Sequence, residues 1–361
     1  MRIGVVTTSY PRGDGDHAGT FVAQHVAQLR ARGHGVDVIA AGIARSGDVE
    51  RIHSRLFEGA GAPDILDRGR ARDLIEAVAF TAKLTARVAR RARRWDLIVA
   101  HWLAPSAIAA LPARAPLLAI AHGGDVHALR RARLLAPALA LLRARRARLV
   151  FASAELLAIA RAHAGRWLDD AAIVQPMGVD VARFAALGRA PTSPPTIAVI
   201  ARLVPVKGVD VALAALAHVR APARLVVAGD GPERATLERA AASNARFLGT
   251  VDAARRDALL REASVVVVPS RELANRRSEG TPTVALEALA AGVPVVASAV
   301  GGLRALGRAA LVPPDDPRAL AAAIDRALAA PPPPDQLRAA AAAFDWRLVD
   351  VRLFAHALRA A

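Results

Sequence analysis

Short apolar runs alternate along the chain with longer segments in which apolar residues recur at helical spacing. The runs are rich in Val, Ile and Leu without alternating polar positions, which is typical of parallel strands covered on both faces. The pattern predicts an α/β fold with parallel sheets and crossover helices. The predicted strands are Ile3–Thr7, Val36–Ala40, Leu97–Ala100, Leu117–Ala121, Leu149–Ala152, Ile197–Ile200, Arg224–Ala228, Ala245–Leu248, Val265–Val268 and Val293–Ala297.

A break in this pattern divides the chain into two similar halves. Residues 187–196 are mostly Gly, Pro, Ser and Thr with little to bury, which predicts an interdomain linker. We therefore expect one Rossmann-like domain over residues 1–186 and another over 197–344, facing each other across a cleft. Ligands should bind outside the carboxyl ends of the strands. A Pro-rich break at Pro331–Pro334 precedes a last helical segment.

Composition agrees with a folded protein of this size. The chain has 361 residues, of which 54% are hydrophobic and 22% charged, enough for two well-packed domains. It has no cysteine, which excludes disulfides, cysteine-based zinc sites and a thiol nucleophile. The first residues are predicted to form a strand rather than a secretory signal, and the long apolar stretches are broken by Pro. We expect a cytoplasmic protein.

The formal charge of +17 comes almost entirely from arginine, since Lys83 and Lys207 are the two lysines. Arginines cluster in residues 87–94 and again in residues 130–148, around the apolar stretch Leu134–Leu142. These clusters are either solvated helix faces or peripheral contacts with an anionic membrane surface, and both interpretations stay open. Nucleic acid is a poor partner, because aromatic residues make up 4% of the chain and RNA-binding motifs are absent.

Two carboxylates stand eight positions apart at Glu279 and Glu287. Glu279 lies in a Gly/Pro loop, and Glu287 opens a predicted helix over Glu287–Ala291. Carboxylates beside a helix N-terminus can accept hydrogen bonds from sugar hydroxyls while the backbone N–H groups attract an anion. Simple capping of the helix explains the same residues. The spacing alone does not choose between these interpretations.

Arg202 and Lys207 follow the first predicted strand of the second half, where Rossmann-like domains contact phosphates. Arginine binds a diphosphate bidentately and lysine adds a compact charge. Loop position and residue pair together favour phosphate binding over an ordinary surface loop. The nearby Gly229–Glu233 lacks a dinucleotide-binding fingerprint, so it predicts a tight turn before a helix.

His101 and His122 each close a predicted strand in the first half. His122 is the better candidate for substrate contact, because the two glycines after it let the backbone approach a ligand. A lone histidine such as His101 is more often structural. Glycines after the first strand, including Gly19, also permit close backbone approach. Asp14 and Asp16 suggest a flexible turn rather than a metal site, since no third ligand is evident.

In their order and spacing these motifs resemble glycosyltransferase family 4, and particularly its exopolysaccharide-building members. Glu279 and Glu287 match the family's Glu-x7-Glu motif, and Arg202 and Lys207 match its phosphate-binding pair. The resemblance covers nearly the whole chain. Its other landmarks match Gly229–Pro232, Phe247–Gly249, Gly292–Ser298, Met177–Asp180 and His122–Asp125.

The resemblance implies a GT-B fold and a retaining transferase that moves a hexose from a UDP- or GDP-sugar to a cell-surface glycan or lipid-linked acceptor. It implies neither metal nor cofactor, and a last helix over residues 345–361 that packs back on the first domain. The implied catalytic residues are His122, Arg202, Lys207 and Glu279. Arg202 and Lys207 would hold the donor diphosphate, and Glu287 the ribose. Glu279 would contact the donor sugar together with Gly280, Thr281 and Thr283, while Gly19, His101 and His122 would lie on the acceptor side.

Departures from the family pattern leave the substrate open. Arg304 and Ala305 replace a common Pro-Glu pair, and Thr281 and Pro282 replace Phe-Gly. Proline cannot donate a backbone hydrogen bond, so the donor pocket is expected to differ. A nucleotide-sugar epimerase of the same fold and a non-catalytic nucleotide-sugar-binding protein remain alternatives. Products formed without an acceptor would indicate the epimerase.

Overall fold

The structure is a computed structural model that describes residues 1–13, 16, 18–43, 49–57, 70–274, 279–280 and 282–358. The chain divides into two compact units. The first unit comprises Met1–Pro176 together with Arg347–Ala361, and the second comprises Met177–Trp346.

The first unit is built on a seven-stranded parallel sheet. Its strands are β1 Arg2–Thr7, β2 Gly35–Ala41, β3 Val49–Ile52, β4 Leu97–His101, β5 Leu117–Ala121, β6 Arg148–Phe151 and β7 Ala172–Val174. They lie in the order β3-β2-β1-β4-β5-β6-β7, so the direction of winding reverses between β1 and β4. The sheet is thus doubly wound, and loops at its carboxyl edge diverge at that reversal.

Helices pack on this sheet, and their apolar faces complete the first core. Gly4 on β1 shows how closely the layers approach, because a Cβ there would lie 2.2 Å from the ring of Trp95. The Trp95 indole N–H donates to Asp37 at 2.7 Å, which satisfies its polar atom. The helices are α1 Thr20–Ala31, α2 Ala71–Arg91, α3 Gly124–Arg131, α4 Leu135–Ala144, α5 Ala154–Ala164 and α6 Leu168–Ala171.

The C-terminal helix, Trp346–Ala357, contributes most of its length to the first unit. Val349 and Leu353 are buried on its apolar face. His356 Nε2 lies 3.1 Å from the carbonyl oxygens of Leu149 and Ala171, so the helix is tied to the β6–β7 edge of the sheet.

The second unit has a six-stranded parallel sheet in the order β10-β9-β8-β11-β12-β13, which reverses between β8 and β11. The strands are β8 Thr196–Ile200, β9 Arg224–Ala228, β10 Ala245–Gly249, β11 Ala263–Val268, β12 Val295–Ser298 and β13 Ala310–Val312. The helices are α7 Val181–Ala185, α8 Val209–Leu216, α9 Arg234–Ala240, α10 Ala253–Glu262, α11 Thr283–Ala290, α12 Pro317–Ala329 and α13 Pro334–Ala342.

Every predicted strand coincides with an observed one, and the prediction of two Rossmann-like parallel sheets is confirmed. The division of the chain differs from the predicted linker over residues 187–196. The second unit already begins at Met177, because Val179 pairs with Asp345 and Phe184 is buried. The predicted linker lies inside that unit, where Arg189 donates to the carbonyls of Ala263 and Gly292.

Within the described residues, every helix is too short or too polar to cross a bilayer.

Candidate functional site

A narrow crevice, with interior space for about one water molecule, lies at the carboxyl ends of β8 and β11. This is where the strand order of the second unit reverses, and loops leaving adjacent strands in opposite directions leave room for a ligand there. Apolar residues of both strands line the crevice, together with Lys207, Ser270, Pro282 and Val284. The crevice lies at the edge of the second sheet where the sequence predicts a binding site.

Lys207 and Glu279 form an ion pair at this crevice. Lys207 Nζ lies 2.6 Å from Oε1 and 2.8 Å from Oε2 of Glu279, so the ammonium contacts both carboxylate oxygens. The side chains are 24% and 12% exposed, and both stay within reach of a bound molecule. Two residues predicted to bind different parts of a ligand are thus held together. The Lys207 ammonium carries three hydrogens, so it can donate both to Glu279 and to a ligand.

The loop that carries Lys207 is fixed by backbone contacts. Gly208 has φ +61°, and a Cβ at this position would lie 2.0 Å from the carbonyl oxygen of Pro269. The Arg271 N–H donates to the carbonyl of Val206 at 3.0 Å. Because both contacts bind the loop to the chain leaving β11, the position of Lys207 does not depend on its own side-chain packing alone.

Arg202 is exposed in the same loop, directly after β8. The turn Gly229–Glu233 supports this loop, since the Leu203 N–H donates to the carbonyl of Asp230 at 2.9 Å. A Cβ at Gly229 would lie 1.8 Å from the carbonyl oxygen of Ala201. The turn leads into α9, as the sequence predicted, and it supports the loop after β8.

Glu287 occupies a different place from the one predicted. Helix α11 begins at Thr283, so Glu287 lies in its second turn and not at the start of a helix over 287–291. Its side chain is buried, and Oε1 lies 3.2 Å from Nη1 of Arg256. The capping interpretation is wrong, because the N-cap residue is Pro282 and it makes no side-chain capping hydrogen bond. Pro282 precedes the first helical residue, Thr283, and lies five positions before Glu287.

The backbone beside Glu279 is held from the opposite side of the loop. The Gly302 N–H lies 3.3 Å from the carbonyl oxygen of Glu279 and 3.1 Å from that of Gly280. Thr283, the first residue of α11, is partly exposed, whereas Thr281 lies outside the described residues. Glu279, Gly280 and Thr283 therefore belong to one loop-to-helix junction.

Ser270 is a candidate that the sequence reasoning missed. It lines the crevice just beyond β11 and is completely buried. Its Oγ makes no hydrogen bond within the described part of the chain. A buried hydroxyl without a partner destabilises a protein by about 1–3 kcal/mol, so its position at a crevice points to an interaction with a ligand. The sequence could have identified Ser270 because it is a polar residue that follows a predicted strand, Val265–Val268, at the point where the strand order reverses.

A second polar cluster lies at the carboxyl edge of the first sheet. His101 ends β4 and His122 follows the adjacent β5. Nδ1 of His101 lies 3.0 Å from Nε2 of His122, and the two rings stack with centroids 5.2 Å apart. His101 is fully buried and His122 partly exposed. His101, for which the sequence favoured a structural role, is thus in direct contact with His122, the stronger candidate for substrate contact.

Aromatic rings surround His122. The ring centroids of Phe21 and Trp102 lie 4.8 and 5.0 Å from it. Trp102 has φ +75°, a conformation rare for a bulky residue and often found at functional sites. Gly19 is buried with φ +70°, and a Cβ there would lie 2.1 Å from the carbonyl oxygen of Ser9. Gly19 thereby lets α1 begin close to β1 and brings Phe21 to the histidine.

Burial keeps these imidazoles neutral at pH 7. It lowers the pKa of His122 to about 3, with a further contribution from His25. Burial also holds the pKa of His101 well below its ordinary value, reinforced by His122 and His25. The first cluster therefore offers hydrogen-bonding nitrogens without positive charge.

Asp125 fixes the loop that carries His122. Its Oδ1 accepts hydrogen bonds from the backbone N–H groups of His122 and Gly123, at 3.2 and 3.0 Å. Its Oδ2 accepts from the N–H of Leu103 at 2.7 Å, so the loops after β4 and β5 are joined. Burial raises the pKa of Asp125 because it outweighs the stabilisation from these donors.

Two family models match this chain in succession. One, described as Glycosyltransferase Family 4, matches residues 18–183, and the other, described as Glycosyl transferases group 1, matches residues 194–330. The first range contains His101 and His122, and the second contains Lys207 and Glu279. The chain belongs to glycosyltransferase family 4.

Curated relatives align with part of the chain. A GDP-mannose-dependent monoacylated alpha-(1-6)-phosphatidylinositol monomannoside mannosyltransferase of Corynebacterium glutamicum is 36% identical over 146 residues, covering 35% of this chain and 38% of that protein. A glycogen synthase of Mycobacterium tuberculosis is 34% identical over 193 residues, covering 48% and 44%. The alignments thus span less than half the length of either relative.

Solved structures of this family's fold match over almost the full chain. The Anabaena protein Alr3699/HepE, solved in complex with UDP-glucose, aligns with a TM-score of 0.71 and 19% identity over 98% of each chain. The family 4 member described here has the GT-B fold.

Proposed function

We propose that this family 4 member is a retaining glycosyltransferase that moves a hexose from a UDP- or GDP-sugar to a cell-surface glycan or lipid-linked acceptor. The Lys207–Glu279 ion pair at the crevice of the second unit carries the proposal, since it offers a cation and hydroxyl acceptors at one point. The name of the C. glutamicum relative specifies GDP-mannose and the Anabaena structure contains UDP-glucose, which supports a nucleotide-sugar donor and leaves its base open.

In this proposal Lys207 and Arg202 bind the donor diphosphate, and Glu279 accepts hydrogen bonds from sugar hydroxyls. The bond between the sugar C1 and the phosphate oxygen breaks while the acceptor oxygen bonds to C1 on the same face. The acceptor proton passes to the leaving phosphate. The two cations stabilise the negative charge that develops on the diphosphate, so the scheme requires no metal ion.

Further positions in the second unit belong to the donor site. The backbone at Gly280 and Thr283 lies beside the start of α11, where the helix dipole favours a negative charge, and Thr281 is assigned to the same donor contact from its place in the sequence. Ser270 Oγ donates a hydrogen bond to the same ligand. Glu287 was assigned to the ribose, but its pairing with Arg256 favours a role in holding α11.

In the first unit His122 contacts the transferred sugar or the acceptor through its neutral ring. Gly19 and His101, expected on the acceptor side, are buried and act through what they position: Gly19 places Phe21, and His101 supports His122. Of these three residues, His122 is the one assigned direct contact with the sugar or the acceptor.

We further propose a peripheral contact between the first unit and an anionic membrane. Leu74, Ile75 and Val78 on α2 are exposed to 55%, 70% and 71%, and the same helix ends in the arginine cluster of residues 87–94. Exposed apolar side chains beside basic ones are typical of surfaces that insert shallowly into a bilayer. Vesicle co-sedimentation tests this: replacing these three residues with Ser should abolish binding to anionic vesicles, whereas unchanged binding would exclude α2.

The test of the catalytic proposal is incubation with UDP- and GDP-hexoses and acceptor preparations, with and without EDTA. We expect release of one nucleoside diphosphate and a product whose anomeric configuration, read by NMR, matches that of the donor. The proposal is excluded if no nucleoside diphosphate is released and neither UDP nor GDP shifts the unfolding temperature. Epimerised sugar formed without acceptor would favour the epimerase, and binding without release in both wild type and Glu279→Gln would favour a binding protein.

A further inference from the structure

The histidine pair of the first unit extends into a row of three. Nδ1 of His25, on α1, lies 3.2 Å from Nε2 of His101, whose Nδ1 lies 3.0 Å from Nε2 of His122. His25 and His101 are 1% and 0% exposed. At the other end, Nε2 of His25 lies 3.4 Å from Oδ1 of Asp350, on the C-terminal helix. A continuous line of side chains thus joins a completely buried carboxylate to the partly exposed His122.

When all three imidazoles are neutral, proton counting leaves this row two possible states. A neutral imidazole carries one N–H, so His101, kept neutral by burial, donates to one neighbour and accepts from the other. In the first state every N–H points towards Asp350, and Nδ1 of His122 is a bare lone pair. In the second state every N–H points towards His122, whose Nδ1 then carries the proton, while a lone pair of His25 faces Asp350.

The carboxylate of Asp350 favours the first state. A lone pair 3.4 Å from a buried carboxylate oxygen is repelled, whereas an N–H at the same place is attracted. Nε of Arg32, 3.4 Å from Oδ2, supplies the opposite charge for this carboxylate. Since the hydrogen bond at one ring nitrogen sets the tautomer of the other, the preference passes along the row.

We propose that Asp350, His25 and His101 are positioning residues that hold His122 with its proton on Nε2, so that Nδ1 accepts a hydrogen bond from a ligand hydroxyl. A sugar hydroxyl satisfies this nitrogen, and a deprotonated phosphate oxygen does not. The identity of that hydroxyl rests on the proposed function. The tautomer itself does not.

The C-terminal helix holds the carboxylate in place. His356, six residues beyond Asp350 on this helix, is within hydrogen-bond distance of the Leu149 and Ala171 carbonyls. Arg32 Nη2 donates to the carbonyl of Arg347 at 2.6 Å, which joins α1 to the same helix. Movement of this helix relative to α1 would therefore alter the tautomer of a residue that does not touch it.

Nitrogen NMR of the full chain at pH 7, labelled with ¹⁵N-histidine, tests the inference. The His122 signals are assigned by their loss in His122→Gln. In the wild type we expect Nε2 protonated and Nδ1 unprotonated. Asp350→Asn supplies an amide that can donate to His25, so we expect the Nδ1–H tautomer of His122 to gain population. Val351→Ala, at an exposed position of the same helix, should leave the tautomer unchanged.

Kinetics provide a second measurement. In Asp350→Asn we expect kcat to fall by about tenfold or more, because an imidazole in the wrong tautomer loses its acceptor lone pair. The KM for the nucleotide-sugar should change less, since the donor cations lie in the other unit. His25→Gln should show the same division between kcat and KM.

Two results would overturn the inference. One is a wild-type His122 with its proton on Nδ1, which needs no variant to fold. The other is an Asp350→Asn spectrum in which the His122 tautomer is that of the wild type. If the tautomer is as stated but the protein transfers no sugar, the proposed function fails and the inference about the row stands.

Discussion

The two units share a topology and differ in the chemistry at the same place. In each, the sheet reverses beside its first strand, and a polar cluster lies at the carboxyl edge there. In the first unit this cluster consists of neutral imidazoles among aromatic rings. In the second it is a charged pair, Lys207 and Glu279, at the side of a crevice. The doubly wound sheet determines where a ligand can bind, and side chains determine what is bound.

Burial explains the difference. The aromatic rings around His122 limit its contact with water, and burial lowers the pKa of its imidazole. Lys207 and Glu279 stay partly exposed and compensate one another, so both can remain charged. The first cluster is therefore suited to hydroxyl groups and the second to a phosphate beside hydroxyl groups.

Removing the cation should give the largest effect. Lys207→Ala takes away a charge proposed to stabilise the leaving diphosphate, so we expect kcat/KM to fall by about 10²–10³-fold. Initial rates with a soluble acceptor measure it. Lys83→Ala, which removes the other lysine, is the matched control and should keep wild-type rates. Equal activity of the two variants would contradict the assignment of diphosphate binding to Lys207.

Removing the imidazole should separate the two clusters. His122→Ala is expected to lower kcat by about 10²-fold. UDP or GDP affinity, measured by calorimetry, should stay unchanged, in contrast to Lys207→Ala. The exposed His163 on α5 provides a control, and His163→Ala should resemble wild type. Weaker nucleoside diphosphate binding in His122→Ala would show that the clusters do not divide the work as proposed.

Glu287→Ala should reveal whether this carboxylate holds the fold or the ligand. Removing Glu287 leaves the buried Arg256 with Asp257, 3.3 Å away, as its carboxylate partner, so we expect about 1–3 kcal/mol less stability to urea. Glu262→Ala, whose partner Arg255 is 3.7 Å away and more exposed, should cost far less. Unchanged stability combined with weaker diphosphate binding would instead support the ribose contact.

Ser270→Ala should have the smallest effect and the most specific one. Because its hydroxyl has no partner within the described residues, we expect stability to remain the same or rise slightly. Loss of one hydrogen bond to the ligand should weaken donor binding by about fivefold, which corresponds to about 1 kcal/mol. Calorimetric titration alongside thermal unfolding checks both parts. Lower stability with unchanged donor binding would place Ser270 in the core alone.

The sequence predicted the sheets better than their edges. Buried strands such as Leu117–Ala121 are recognisable because their composition reflects burial on both faces. The edge strand Val49–Ile52 was missed, since it is short and contains Glu50 and Arg51. The start of α11 was also missed, because Pro282 and the apolar residues after it did not indicate a helix N-terminus.

The sequence predicted individual site residues but not which of them lie in contact. Lys207 and Glu279 are separated by 72 positions, and their contact depends on how β8 and β11 are paired. His25 lies in an amphipathic helix, where a lone histidine resembles any core residue. Its relation to Asp350 follows from the chain returning to the first unit, which local periodicity does not predict.

The return of the chain to the first unit also determines the order in which the two units can be completed during synthesis. The segment Arg347–Ala361 is synthesised after the whole of the second unit, yet it belongs to the first. While the ribosome still holds this segment, the surface that receives Asp350 and His356 is unfilled. The unit that is made first is therefore the one that is finished last, and its histidine row acquires a carboxylate at one end only after the second unit has been translated.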